Sequence, residues 1–293
     1  MVPPQNGAGI MTMNRQLKKR KILDNLVYII MGAAMVLVIA ALFFIIIYIF
    51  RSQAGYLNFS FILSAEKGIL PMIVTTVYVV LVSIAIALPV GLASAIFLNE
   101  YAGNSSLTRI LRLAIETLAG IPSIIYGLFG LLVFCRILNF GQSIIAGALT
   151  LSIMILPVII RTTEESLKAI PDSFREGSLA LGATKLQTII FVVLPSALPG
   201  IVTSVILAIG RVVGESAPVL LTVGLARNMP RSIFESGRTL TIHLYELTKE
   251  AINPEDFAIS FATASVLIIL VVIINTATKI ITENFRKQLG ETL

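Results

Sequence analysis

An all-α integral membrane protein with six transmembrane helices is what this sequence predicts, and three observations carry the prediction. Hydrophobic residues make up 56% of the 293 and charged residues only 13%, about half the charge of an ordinary soluble domain. The apolar residues gather into blocks near 26–50, 71–98, 113–135, 143–160, 196–225 and 257–281, on the scale of the roughly 20 residues that cross a bilayer core as a helix. The basic residues fall in the gaps between blocks. That pattern reports orientation, not a nucleic-acid surface.

The first block follows a basic flank, "MNRQLKKRKILDN", and runs from Leu26 to Phe50. A cleaved signal peptide has an apolar core of only about 7–15 residues before a small-residue cleavage site, so this block is expected to be a retained helix. Residues 1–25 then form a basic cytoplasmic N-terminus, 71–282 a five-span transmembrane domain, and 283–293 a cytoplasmic tail. Tyr28 and Tyr48 stand near the two ends of the first span as interface anchors, in a chain without tryptophan.

Lysine and arginine in the short loops set the orientation. With the N-terminus inside, the inner segments hold Arg15, Lys18, Lys19, Arg20, Lys21, Arg109, Arg112, Arg161, Lys168, Arg175, Lys185, Lys279, Arg286 and Lys287, and the short outer loops only Arg51, Lys67 and Arg136. This asymmetry predicts that both termini are cytoplasmic. The single Cys135 and single His243 cannot form a disulfide or a structural zinc site within the chain, and both read as packing or surface residues. The outer segment 226–256 carries Leu240, Leu244, Leu247 and Ala251 on one helical side, with His243, Glu246 and Lys249 elsewhere on the wheel. It predicts an amphipathic helix lying on the membrane or a partner, or one packed on its own bundle.

Between the fourth and fifth blocks lies "AIPDSFREGSLALGATKLQTIIFVVLPSALPG". Ser173 with Glu176, and Thr184 with Gln187, each fit a capping box. Gly182 between them suits the left-handed conformation that ends a helix. The loop 172–195 therefore predicts helix, glycine turn, helix on the cytoplasmic side.

This loop resembles the coupling loop of permease subunits of bacterial ABC importers: Glu-Ala-Ala, three residues, Gly, nine residues, then Ile-x-Leu-Pro. Here Glu176, Gly177 and Ser178 are followed by Gly182 and by Val192, Val193, Leu194 and Pro195. Both alanines are replaced by small residues and the isoleucine by valine. The stretches "FLNEYA" (97–102), "ETLAGIPSIIYGLFG" (116–130), "GALTLSIMILPVIIRTTEESLKAIP" (147–171), "REGSLALGATKLQTIIFVVLPSALPGI" (175–201) and "GRVVGESAPVLLTVG" (210–224) narrow the resemblance to phosphate permeases of the PstA type. The partner permease of the same importers, the PstC type, shares the Arg-x-x-Gly-Glu pattern, and a permease for another oxyanion is a further alternative.

The resemblance implies the type I ABC importer permease fold, transport of phosphate, and a set of partners. These are a PstC-like second permease, two PstB-like ATP-binding subunits and a PstS-like external binding protein. ATP and magnesium would belong to the ATP-binding subunits, since this chain has no GxxxxGK[ST] phosphate loop. It also implies that 172–195 docks on the ATP-binding subunit through Glu176, Gly177, Ser178, Gly182, Leu194 and Pro195. A secondary transporter would need coupling carboxylates in several spans, where only Glu215 and Glu116 are candidates. A membrane enzyme would need a nucleophile–base set that the composition does not provide.

Arg211 and Glu215, four residues apart in "GRVVGESAP", are the candidate pathway residues. If the fifth span begins near Pro199, Arg211 lies about 18 Å along it, past the middle of the core. An unpaired arginine there costs roughly 2.5–3.5 kcal/mol, which a glutamate one helical turn away offsets in part. The pair reads either as self-neutralised packing or as a guanidinium offering bidentate donors to a tetrahedral oxyanion. Arg112 with Glu116 and Arg161 with Glu165 repeat the spacing near cytoplasmic span ends and are expected to pair along their helices.

Overall fold

The computed structural model describes residues 7–53, 55–64, 68–103 and 105–290. Lys67 and the side chains of Arg15, Lys18, Lys19, Arg20, Arg286 and Lys287 lie outside that description, as does the end of the tail, 291–293. Met1–Ser52 form one compact unit and Gln53–Leu293 a second. The first unit holds α1 (Gly7–Ser52), in which the apolar run Leu23–Ser52 follows the basic flank without a break.

Among the described residues of the second unit all regular structure is helical. After the short α2 (Phe59–Leu63) come α3 (Leu70–Ile96), which continues as a π-helical turn over Phe97–Tyr101, then α4 (Ser106–Gly120) and α5 (Ser123–Gly130), extended by a π-turn over Leu131–Ile137. Next are α6 (Ile144–Lys168), α7 (Asp172–Ala180), and α8 (Lys185–Thr188), which runs through a π-turn into α9 (Leu194–Gly214). The short α10 (Ala217–Thr222), α11 (Leu240–Glu250) and the long α12 (Pro254–Gly290) complete it. Among the described residues five helices are long and apolar enough to cross a membrane, and the α4–α5 pair makes a sixth crossing if its two arms count as one.

Helices α3 and α6 form the centre. Val79, Val80, Ala87, Leu151, Met154, Ile155 and Ile159 are buried between them and α9. Burial of such side chains contributes about 1.5–3 kcal/mol each where they leave water, and dispersion contacts where they leave lipid. The many buried hydroxyls bond back along their own helices. Thr75, Thr76, Thr150, Ser152 and Thr222 each donate to the carbonyl four residues earlier, the arrangement that satisfies a hydroxyl where no water is present. Ser152 also reaches across to the Ser83 carbonyl at 3.0 Å, joining α6 to α3.

Two apolar blocks depart from single straight spans. The block 113–135 is divided at Ile121 and Pro122, where α4 and α5 meet at 98°. Proline at 122 disfavours helical backbone for the residue before it, and Ile121 is accordingly extended. The fifth block starts earlier than 196, at Lys185, and is interrupted after Gly214. Helix α5 packs closely on α10, where a Cβ at Gly127 would stand 2.8 Å from Pro218 Cα.

The segment 226–256 resolves in favour of packing on the chain's own bundle. Helix α11 lies on α12 and α3, and the Leu240 amide donates to Thr76 Oγ1 at 2.9 Å. His243 is on the buried side with Leu240, not on the far side of the wheel, and is 7% exposed. It follows Leu240 by three residues, which places it on the same helical face. Burial, helped by the Arg238 and Arg227 charges, holds its pKa down to about 4.

Two outcomes follow from this packing. Gly127→Val is expected to lower the melting temperature in detergent by overpacking the α5–α10 contact, at about 1–3 kcal/mol. Gly210→Ala, where a Cβ meets nothing within 4 Å, should not lower it. His243 is neutral when folded and takes up a proton more readily when unfolded, so stability is full above about pH 6.5 and falls as pH drops toward 4. Thermal melts across that range should show the loss, and His243→Gln should flatten it.

Candidate functional site

Pro218 accounts for the break at the end of α9. A proline has no N–H and its ring clashes with the carbonyl four residues back, here that of Gly214. The helix ends at that glycine, and Glu215 takes an extended backbone with ψ 132°. The Val213 carbonyl, freed by this ending, accepts the Thr241 hydroxyl at 2.6 Å.

Arg211 stands in the last turn of α9, where a cation faces the negative end of the helix dipole. It lies 26 residues beyond Lys185 in a helix that runs through to Gly214, about 39 Å at 1.5 Å per residue. Counted from Pro199, past the coupling loop, it lies 12 residues or about 18 Å along the same helix, in the last turn before the break at Gly214. Its Nε is 3.8 Å from Glu215 Oε1 and its side chain is 32% exposed. Among the described residues its guanidinium makes no hydrogen bond, and the Glu215 carboxylate is the charge paired with it.

Tyr126, from the α4–α5 bend region, lies within electrostatic reach of Arg211, and its hydroxyl donates to the Leu118 carbonyl at 2.7 Å. Two interrupted helices therefore meet at one place, α4–α5 beside α9–α10, through Gly127 and Pro218. Interrupted helices in transporters are where backbone and charged groups become available to a passing solute. Nothing in the spacing of the sequence pointed to Tyr126. The Gly120-Ile121-Pro122 run was the available signal for the bend.

The other two arginines pair between helices. Arg112 binds Glu164 at 2.8 Å, and Arg161 binds Glu116 at 2.8 Å. The expectation of Arg112–Glu116 and Arg161–Glu165 pairs along single helices is corrected: α4 lies against α6, so the partners face one another across the contact. Glu164 also pairs with Lys168 at 2.8 Å. These side chains, with Glu165, line a cleft of about 190 Å³, and a cleft of about 590 Å³ adjoins it along Arg109 and Arg112.

In the 172–195 loop the second capping box is present. Thr184 Oγ1 accepts the Gln187 amide and Gln187 Oε1 accepts the Thr184 amide. Gly182 has φ +89°, the left-handed turn that separates α7 from α8. The box at Ser173 is not formed. Pro171 occupies the cap position instead, so the helix starts at Asp172, two residues earlier than that box requires. Glu176 and Gly177 are exposed, and Ser178 shares a hydrogen bond with Thr188 at 2.9 Å across the turn. Leu194 and Pro195 open α9 and are half-buried. Leu181 is 91% exposed at the tip, and Phe174, Leu179 and Leu186 are exposed around it.

The comparisons agree with this architecture. Residues 87–289 match the family model described as binding-protein-dependent transport system inner membrane component. The chain is 34% identical over 279 residues to a probable ABC transporter permease, YqgI, of Bacillus subtilis, covering 89% of this chain and 95% of that one. It is 41% identical over 202 residues to a phosphate transport system permease, PstA 1, of Mycobacterium tuberculosis, covering 68% of this chain and 66% of the relative. A solved bacterial ABC transporter for the import of alginate superposes with a TM-score of 0.65 at 14% identity, over 92% of this chain and 99% of that one, which shows the shared fold. The chain is thus a multi-pass membrane protein with the type I importer permease fold, and it belongs to the family of binding-protein-dependent transport system inner membrane components.

Proposed function

We propose that this chain is a PstA-type permease subunit of an ATP-driven importer of inorganic phosphate and supplies half of the translocation pathway. The 41% identity to a phosphate permease is the observation that carries the substrate. In this reading a PstC-like permease supplies the other half, two PstB-like subunits bind ATP and magnesium, and a PstS-like protein delivers phosphate from outside. This chain has no ATP site of its own and both its termini are cytoplasmic. It resides in the cytoplasmic (inner) membrane of a bacterium or archaeon.

Arg211 is the pathway cation. Its guanidinium donors at the junction of two interrupted helices suit a tetrahedral anion, and its place near the outer end of α9 suits reception from an external protein. Glu215 at 3.8 Å tempers the attraction, since an anion held tightly enters but does not leave. The exposed apolar tip around Leu181, with Glu176 and Gly177 beside it, seats on the ATP-binding subunit. Nucleotide closure there moves the spans.

Uptake of radiolabelled phosphate at low micromolar concentration tests the reading, in cells lacking their own high-affinity importer and supplied with the partner subunits. ATP-dependent uptake is expected with the natural chain, and a loss of tenfold or more with Arg211→Gln while the complex still assembles. No uptake from an assembled natural complex would remove phosphate as the substrate, and normal uptake by the variant would remove Arg211 from the pathway. Leu181→Asp should abolish co-purification of the ATP-binding subunit without changing the melting temperature of the isolated chain.

A further inference from the structure

The first arm of the coupling loop is bonded to the ends of α3 and α6 through Arg175. Arg175, on α7, donates from Nη2 to Glu100 Oε1 at 2.9 Å and from Nε to the same oxygen at 3.2 Å. It also donates to the carbonyls of Leu167 and Ile170 at 2.9 Å each. Glu100 belongs to the π-turn that ends α3 and is 7% exposed, and Arg175 is 17% exposed. Lys185, at the start of α8, donates to the Glu100 backbone carbonyl and stands 4.6 Å over the Tyr101 ring. Both arms of the loop thus grip Glu100, one by its carboxylate and one by its carbonyl. The same arginine thereby binds the Leu167 carbonyl in the last turn of α6 and the Ile170 carbonyl just beyond it.

We infer that the Arg175–Glu100 pair is the joint that carries movement of α7 into α3 and α6, and that Arg175 is a positioning residue for coupling. Without it, α7 keeps its ties within the loop, the chain at Pro171 and Gly182 and the Ser178–Thr188 hydrogen bond, but loses its bonds to the α3 and α6 ends. A glycine turn bends under load, whereas a forked guanidinium held by a carboxylate and two carbonyls transmits it. The inference rests on the proposed drive by an ATP-binding subunit, and it adds that α3 and α6 are moved directly, along with α9.

The test uses Arg175→Gln and Glu100→Gln in the full chain. Hydrogen exchange of the detergent-solubilised protein should rise tenfold or more at the α7 amides, with the Ile155 and Ile159 amides of α6 unchanged. In proteoliposomes of the whole complex, phosphate moved per ATP hydrolysed should fall fivefold or more while the ATP-binding subunit remains bound. Arg175→Lys, which keeps the charge and loses the fork, should fall between. Unchanged exchange at α7, or transport and hydrolysis lost in equal proportion, overturns the joint. Should Arg175→Gln fail to assemble, Glu100→Gln decides, because it leaves the bonds to Leu167 and Ile170 in place. A natural complex that moves no phosphate, with the exchange response intact, removes the proposed substrate and leaves the joint standing.

Discussion

The seam between α3 and α6 is the contact on which the rest of the second unit depends. It is built mainly of apolar side chains, and among the described residues Ser152 crosses it with a hydrogen bond to the Ser83 carbonyl. In lipid, association of two helices draws little from solvent exclusion and depends on close packing and on satisfied polar groups. The seam meets both conditions. Its one end is closed by Arg175, which binds the α3 end through Glu100 and the α6 end through two carbonyls. Its other end is covered by the loop that joins α10 to α11, where the amides of Ile144 and Ile145 donate to the carbonyls of Glu235 and Ile233.

Against this rigid centre the interrupted helices are the parts with room to change. Helix α9 stops at Gly214 for a steric reason and restarts at Ala217, and α4 turns through 98° into α5. Each interruption frees backbone groups that a membrane protein leaves uncovered only in a protein interior or a water-filled cavity. Arg211, Glu215 and Tyr126 gather at these two breaks. The charged pairs of α4 and α6 stand apart from them, Arg112 being level with the α3 π-turn through its contact with the Leu98 carbonyl. One chain thus keeps its loosely paired arginine and its tightly paired arginines in separate places.

The physical difference between those arginines is their partners. Arg175 has a carboxylate and two carbonyls and Arg112 has a carboxylate at 2.8 Å, so their charges are committed to structure. Arg211 has one carboxylate at 3.8 Å and keeps its donors. Composition marks all of them alike as basic residues beside apolar blocks. Only the geometry of the acceptors separates the residue available to a ligand from those that hold helices together.

Much of this molecule was legible without coordinates. Apolar block lengths determine that helices cross a membrane, because an unpaired backbone in hydrocarbon is too costly for any open alternative. Pro218 and Gly214, Gly182 and the Thr184–Gln187 box determine where helices stop and start, because those effects act within four residues. What lay beyond that range was not legible. The i,i+4 spacing of Arg112 with Glu116 and of Arg161 with Glu165 suggested pairs within helices, and the packing of α4 on α6 instead joined Arg112 to Glu164 and Arg161 to Glu116. The burial of His243 and the grip of Arg175 on Glu100 likewise join residues far apart in the chain. Such contacts are decided by which helix faces are brought together, and that is settled by packing of the whole bundle, which no local pattern encodes.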